Sequence, residues 1–202
     1  MIESMYIGSS DTSTLLSDKN SYGFKKLLQR FVSDEKPYYN AKASPIDALR
    51  IGAILEDCYH KILPDNYFSQ YKVISDEINV FRASLDFAKL EKGKVVDFDE
   101  LKTCSFGDFL KLPKLDENYI DIIKKKYKNY YNQIQEQLFC SGLDSANLVF
   151  LSVHSYDDNE NYHREIKENE YVKFRIFRDE KVIEAIKERG KFFQQIKDFF
   201  NR

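Results

Sequence analysis

The stretch RASLDFAKLEKGKVVDFDELKTC, from Arg82 to Cys104, places charges where a core strand should be apolar. Val95, Val96, Phe98 and Leu101 mark the strand, yet Asp97, Asp99, Glu100 and Lys102 interrupt it, and Asp86 lies on the apolar segment before it. Ionised side chains are costly to bury alone, so a fold built on this stretch must expose these charges or pair them. Alternation puts Glu100 and Lys102 on one face of the strand. If 83–88 and 95–102 are neighbouring strands, Asp86 lies beside that face. Two carboxylates and an ammonium then converge at an edge or bend of the sheet. A divalent cation is the natural occupant, and Mg²⁺ favours hard oxygen ligands with several sites left for water and phosphate. Such an ion polarises a phosphodiester, acidifies a water and stabilises the leaving oxygen, with Lys102 orienting or helping to deprotonate the attacking water. The competing reading is a solvated edge strand whose charges discourage aggregation.

The acidic-x-Lys triplet by itself favours the edge-strand reading, because it recurs at Asp34–Lys36, Glu165–Lys167 and Asp179–Lys181. Only Glu100–Lys102 ends a core strand with an acidic strand residue just upstream. Glu56 shifts the balance. It sits mid-helix in IGAILEDCYHKIL, between apolar neighbours and one helix before the sheet, where a third carboxylate can aim at the same ion. Gly52, one turn earlier, would let that helix approach another backbone closely.

At 202 residues, with 43% hydrophobic and 32% charged side chains, one folded domain spanning 1–202 is expected. No apolar run approaches the ~20 residues that span a bilayer. The start MIESMYIGSSDTST lacks signal-peptide character, so a cytoplasmic location and no membrane partner are expected. Cys58, Cys104 and Cys140 are odd in number and far apart, which argues against disulfides, zinc and iron–sulfur clusters. The net charge of −2 gives no global sign of nucleic-acid binding, although the 31 Lys and Arg can still cluster locally.

Ser10–Thr14 precede an expected helix through Phe31, and a polar loop follows. Ser44–Pro45 then reads as the cap of a helix that ends before Pro64. Segments 71–82, 83–90 and 94–102 read as strands, the last two joined by a hairpin turn at LEKGK. A short helix at 105–111, a long one at 116–139, strands at 147–154 and 170–177 and a closing helix at 179–200 complete an α/β pattern.

The order helix Glu, strand Asp, strand Glu-x-Lys resembles the PD-(D/E)XK nuclease superfamily. Within it the likeness is to the lambda-exonuclease or YqaJ-type viral recombinase family. DELKTCSFGDFLKL resembles that branch's Glu-x-Lys strand running into a short helix with an Asp–Phe pair. YYNQIQEQLFCSG resembles its next helix, YIGSSDTSTLL its hydroxyl-rich N-terminal stretch, and VKFRIFRDEKVIEAI its last strand and helix. The resemblance implies a restriction-endonuclease-like mixed β-sheet core flanked by helices. It implies metal-binding carboxylates at Asp86 and Glu100, a carbonyl ligand at Leu101, a catalytic Lys102, and Glu56 near a second metal position. Gln133 matches a glutamine at the active site and the DNA phosphate region, and Ser10 a hydroxyl near a terminal phosphate. The arginine expected upstream of Ser10 is missing, which leaves Lys25, Lys26 or Arg30 as substitutes. Phe87 stands where relatives often carry glycine, and the absence of Trp and the short chain imply trimmed DNA-guiding loops.

The implied activity is a Mg²⁺-dependent deoxyribonuclease, with Mn²⁺ as substitute, acting 5′→3′ on double-stranded DNA ends in phage-type recombination. Members of this branch hand single strands to an annealing protein, and some form homo-oligomeric rings around DNA; a viral member would work in the host cytoplasm. The same core also serves endonucleases, junction-processing nucleases and non-catalytic DNA- or protein-binding relatives. The supporting features keep two readings each: Gln133 is a solvent-facing helix residue or an active-site group, and Ser10 the cap of the first helix or a phosphate contact. Tyr127, Tyr130 and Tyr131 are helix packing or a platform for unpaired bases, and Lys124, Lys125, Lys126 and Lys128 a solvated face or a phosphate track.

Overall fold

The computed structural model describes residues 5–33, 47–116, 118–154, 157 and 164–202. Strand β1 (Ile7–Gly8) leads through a 3₁₀ turn (Ser9–Asp11) into α1 (Thr12–Leu15), α2 (Tyr22–Ser33) and α3 (Asp47–His60). Strands β2 (Tyr67–Ile74), β3 (Phe81–Glu91) and β4 (Lys94–Ser105) form a meander. Helices α4 (Phe106–Phe109), α5 (Tyr119–Lys126) and α6 (Lys128–Ser141) cross to β5 (Ser145–Val153), followed by β6 (Tyr171–Phe177) and α7 (Glu180–Phe200). The sheet runs β1-β3-β4-β5-β6, with β2 also paired to β3. Pairs β1/β3 and β4/β5 are parallel and the others antiparallel, so the sheet is mixed as expected. A parallel β4/β5 pair needs a crossover, and α4–α6 provide it.

The sheet forks where its charges sit. The β3/β4 ladder runs from Glu91 and Lys94 to Phe87 and Asp99 and stops there. One more step in that register would set Asp86 opposite Glu100. Beyond it β4 continues along β5 to Ser105, while among the described residues β3 meets β1 at Phe81 and Arg82. The β2/β3 hairpin also turns over at this level. Tyr67 and Phe87 pack in the core beneath α3, whereas Tyr71 and Leu85, of the same strand parity, pack in the larger core under α6 and α7. Gln70, with φ 52, marks the bend; positive φ is uncommon in a non-glycine residue.

Several boundaries differ from those the sequence suggests. The first helix is broken after Leu15, because Ser17 hydrogen-bonds Thr14 O, Asp18 accepts from Asn20 N, and Ser21 accepts from Phe24 N to cap α2. The first strand ends at Ile74 rather than 82, since Ser75 Oγ takes the Glu77 and Ile78 N–H groups in a turn. The helix expected at 116–139 divides at Tyr127 (φ −118, ψ 36), whose ring packs on Phe150 with centroids 4.9 Å apart. The Ser44–Pro45 cap lies outside the described residues. The hairpin turn falls at Lys92–Gly93, both with positive φ, as a tight two-residue turn requires. No described helix is long and apolar enough to cross a membrane.

Gly52 does not perform the close backbone approach expected of it: a Cβ there would meet the Thr103 side chain at an ordinary 3.4 Å. Gly190 does. A Cβ at Gly190 would lie 2.1 Å from the ring of Phe81, which is fully buried and held edge-on by Phe139. Gly190→Ala should therefore lower stability by about 1–3 kcal/mol through overpacking. Denaturant melts check this, and Phe81→Leu in the same chain should recover part of the loss.

Candidate active site

Glu100 is fully buried and both of its carboxylate oxygens are taken. Oε1 accepts from Lys102 Nζ at 2.6 Å and from Gln133 Nε2, and Oε2 accepts from Gln137 Nε2 at 2.5 Å. Lys102 reaches back two residues along the same strand face. Gln133 and Gln137 lie one helical turn apart on α6, the spacing that aims two side chains at one point. Gln137 gives its second N–H to Ser84 O at 3.0 Å, so one amide bridges β3 and β4 across the fork.

Asp86 completes the group. Its Oδ2 accepts from Leu101 N at 2.9 Å and its Oδ1 from Gln70 Nε2 at 3.4 Å, while Gln70 Oε1 accepts from Ser84 Oγ at 3.0 Å. Burial, then the Glu100 charge, push the Asp86 carboxyl well above the ordinary range; Lys102 opposes this and Glu56 adds to it. For Lys102 burial acts to lower the pKa, but Glu100 and Asp86 outweigh it and raise the value. As arranged here Lys102 is a charged donor and holds no free lone pair. In this state it can orient a water or steady an oxyanion.

The other sequence-derived residues fall in different places. Glu56 projects from α3 near enough to add to the potential at Asp86. Yet among the described residues no three His, Cys, Asp or Glu side chains form a metal-holding cluster, so the three-carboxylate set is not preassembled. Leu101 contributes its N–H to Asp86 and its side chain to the core beneath α3. Ser10 is exposed on the 3₁₀ turn, which packs on α6 and β3. Arg30 pairs with Asp11 beside it. Lys25 and Lys26 lie exposed on α2. Of the three basic substitutes, the structure therefore brings Arg30 to the Ser10 turn.

The remaining strand charges are satisfied on the opposite face. Asp99 is fully buried and accepts from Tyr59 OH (2.8 Å), Asn147 Nδ2 (2.7 Å) and Lys173 Nζ (2.7 Å). Arg175 pairs with Asp97 at 2.7 Å. Burial and then the Asp99 charge push the Tyr59 phenol up, keeping it a donor.

Gln137, Gln70 and Glu136 escaped sequence reasoning. The only signal was the polar run QIQEQ inside an apolar helix, and the structure buries Gln135, Glu136 and Gln137 completely. Glu136 makes an informative contact. Thr12 Oγ1 lies 2.6 Å from both Ser9 O and Glu136 Oε2. A hydroxyl has one proton, so both contacts are hydrogen bonds only if the carboxyl carries a proton and donates to Thr12. Burial raises the Glu136 pKa to about 8, consistent with that chain.

No family model matches this chain, and no curated protein sequence does. Solved structures do. An alkaline exonuclease, LHK-Exo from Laribacter hongkongensis, superposes with a TM-score of 0.66 at 15% identity, over 99% of this chain and 93% of that one. LHK-Exo in complex with dAMP gives 0.61 at 15%, over 98% and 92%. A phage-related exonuclease from Haemophilus somnus 129PT gives 0.58 at 15%, over 96% of both. The chain has the fold of these exonucleases. At such identity the likeness is one of fold, and it agrees with the architecture that the lambda-exonuclease resemblance implied.

The donor set suits a hard divalent cation. Asp86 and Glu100 interact closely enough for the Glu100 charge to disfavour the ionised Asp86, and the two carboxylates offer oxygen ligands only. Lys102 now supplies the positive charge at Glu100, so an ion binding there would share or replace that contact.

A pH experiment tests the Glu136 contact. Unfolded, this carboxyl titrates near 4.5; folded, at about 8. Between those values the folded chain holds the extra proton, so its contribution is complete below 4.5 and is lost as pH rises toward 8. The slope is about 1.4 kcal/mol per pH unit. Glu136→Gln, which keeps a donor but cannot ionise, should flatten the pH dependence of denaturant melts by about this amount. An unchanged slope would mean the proton is not there.

Proposed function

We propose that this protein is a divalent-metal-dependent deoxyribonuclease, Mg²⁺ being the natural ion, working as a 5′→3′ exonuclease on double-stranded DNA ends. The observation that carries the reading is the convergence of Asp86, Glu100 and Lys102 at the fork of a sheet with the fold of known exonucleases. The dAMP complex of one such exonuclease supports a nucleotide substrate. Asp86, Glu100 and the Leu101 carbonyl would hold the ion, with Glu56 on its outer side. When bound, the ion supplies Lewis acidity toward a phosphodiester oxygen and a more acidic water. Lys102 donates to the attacking water or to a phosphate oxygen, and Gln133 and Gln137 fix the carboxylate that would face the ion. The Ser10 turn with Arg30 is the place for a terminal 5′-phosphate, held by charge-assisted bonds. Anchoring the end sets the next phosphodiester over the site and so gives register.

Digestion of end-labelled linear and closed circular duplexes, with and without Mg²⁺, tests the reading. Linear duplex should be degraded only with the ion, 5′-phosphorylated ends faster than 5′-hydroxyl ends, and closed circles spared. Lys102→Ala should slow cleavage by at least about 100-fold while DNA affinity changes little. Ready cutting of circles would indicate an endonuclease, and wild-type rates in the Lys102 variant would remove this lysine from the chemistry.

A further inference from the structure

A cleft of about 540 Å³ opens just past Lys102, between the end of β4, α4 and the α5–α6 break. It is lined by Lys111, Lys126, Lys128, Tyr127, Tyr130 and Asn129, among others. The Tyr130 ring belongs to both places, since Lys102 Nζ sits 5.2 Å from its centroid. Tyr127 and Tyr130 present nearly parallel rings, 13° apart with centroids 6.4 Å apart. At the break in the helix the Tyr127 ring rests on Phe150 and forms part of the cleft wall.

The charge balance of the cleft is positive. The one carboxylate among its described lining residues, Asp108, is paired with Lys111 at 3.0 Å and accepts from Ser105 Oγ at 2.8 Å. Lys126 and Lys128 are exposed and have no ion-pair partner among the described residues. Cys104 contributes a neutral wall, because burial and then Asp108 push its thiol up to about 11. The neighbouring residues divide away from this place: Tyr131 OH bonds Asp179 at 2.9 Å and Lys124 pairs with Asp179 at 3.0 Å, on the other side of the helix.

Unpaired cations beside adjacent aromatic faces, continuous with a phosphodiester site, match the chemistry of an unpaired polynucleotide. Phosphates meet the lysines and bases stack on the tyrosines, whereas a duplex keeps its base faces covered. We infer that this cleft binds the single-stranded DNA adjoining the scissile phosphodiester, with Tyr127 and Tyr130 as the stacking platform and Lys126 and Lys128 as phosphate contacts. The inference rests on the nuclease reading for its placement next to Lys102, but its test does not depend on cleavage.

The affinity of a fluorescent (dT)₁₂ oligonucleotide is measured in EDTA over a series of salt concentrations. Lys126→Gln/Lys128→Gln, both solvent-facing, should fold normally and lower the salt slope by about 1.4. Tyr127→Leu should weaken binding about ten-fold, and Tyr127→Phe should restore it if the loss reflects stacking. Mg²⁺-dependent hydrolysis of bis(p-nitrophenyl) phosphate, too small to reach the cleft, should be unchanged in the lysine variant. Unaltered (dT)₁₂ affinity and slope would overturn the inference whatever cleavage does. An equal loss for dAMP alone would overturn it in favour of a mononucleotide pocket, and an equal loss for blunt duplex would overturn the stacking platform. Retained (dT)₁₂ binding in a wild-type protein that hydrolyses nothing would sink the nuclease reading and leave the cleft standing.

Discussion

A carboxylate cut off from water needs donors on both oxygens, and Glu100 draws them from a strand and from a helix that crosses it. Each hydrogen bond to a charged group contributes on the order of 1.5–3 kcal/mol, and losing one partner would leave the charge underserved in a dry place. The register between β4 and α6 is therefore held by polar bonds as well as by packing. Through Gln137 the same bonds reach Ser84 on β3, so the strands that part at the fork remain joined by a side chain where backbone pairing has ended.

The opposite face of β4 follows the same rule with different partners. Asp99, Asn147 and Arg175 stand in register on three neighbouring strands, and Lys173 and Tyr59 close the group over Asp99. The charges of β4 on this face are thus paired within the chain. The α6 face, in contrast, borders both the fork and the cleft beyond Lys102. The charges in β4 thus divide by strand parity into a structural set at 97 and 99 and a candidate reactive set at 100 and 102.

Much of the sheet could be read from the chain because its signals are local. Alternation placed Glu100 beside Lys102, Lys92–Gly93 marked the hairpin, and the apolar runs at 147–154 and 170–177 became β5 and β6. What escaped depends on partners far away in sequence. Thr12 and Glu136 are separated by 124 positions, and nothing near either residue announces the other. The break at Tyr127 escaped because apolar periodicity continues through it, and its contact with Phe150 lies far away in sequence. Gln70 escaped because a positive φ in a polar strand residue leaves no compositional mark. Glu56 was legible as a helix carboxylate near Asp86, but its distance from a preformed cluster was not.

The ion pair between Lys102 and Glu100 has one more consequence. Proteins whose carboxylates or thiolates wait for a metal tend to be unfolded or strained until it arrives. Here the lysine acts as a resident counter-ion, so the charge of the buried carboxylate is balanced within the chain itself and the fold does not wait for an ion. The same residue is released from its carboxylate only to the extent that another cation takes over. In the proposed nuclease, ion occupancy and the freedom of this lysine would thereby be coupled through a single contact.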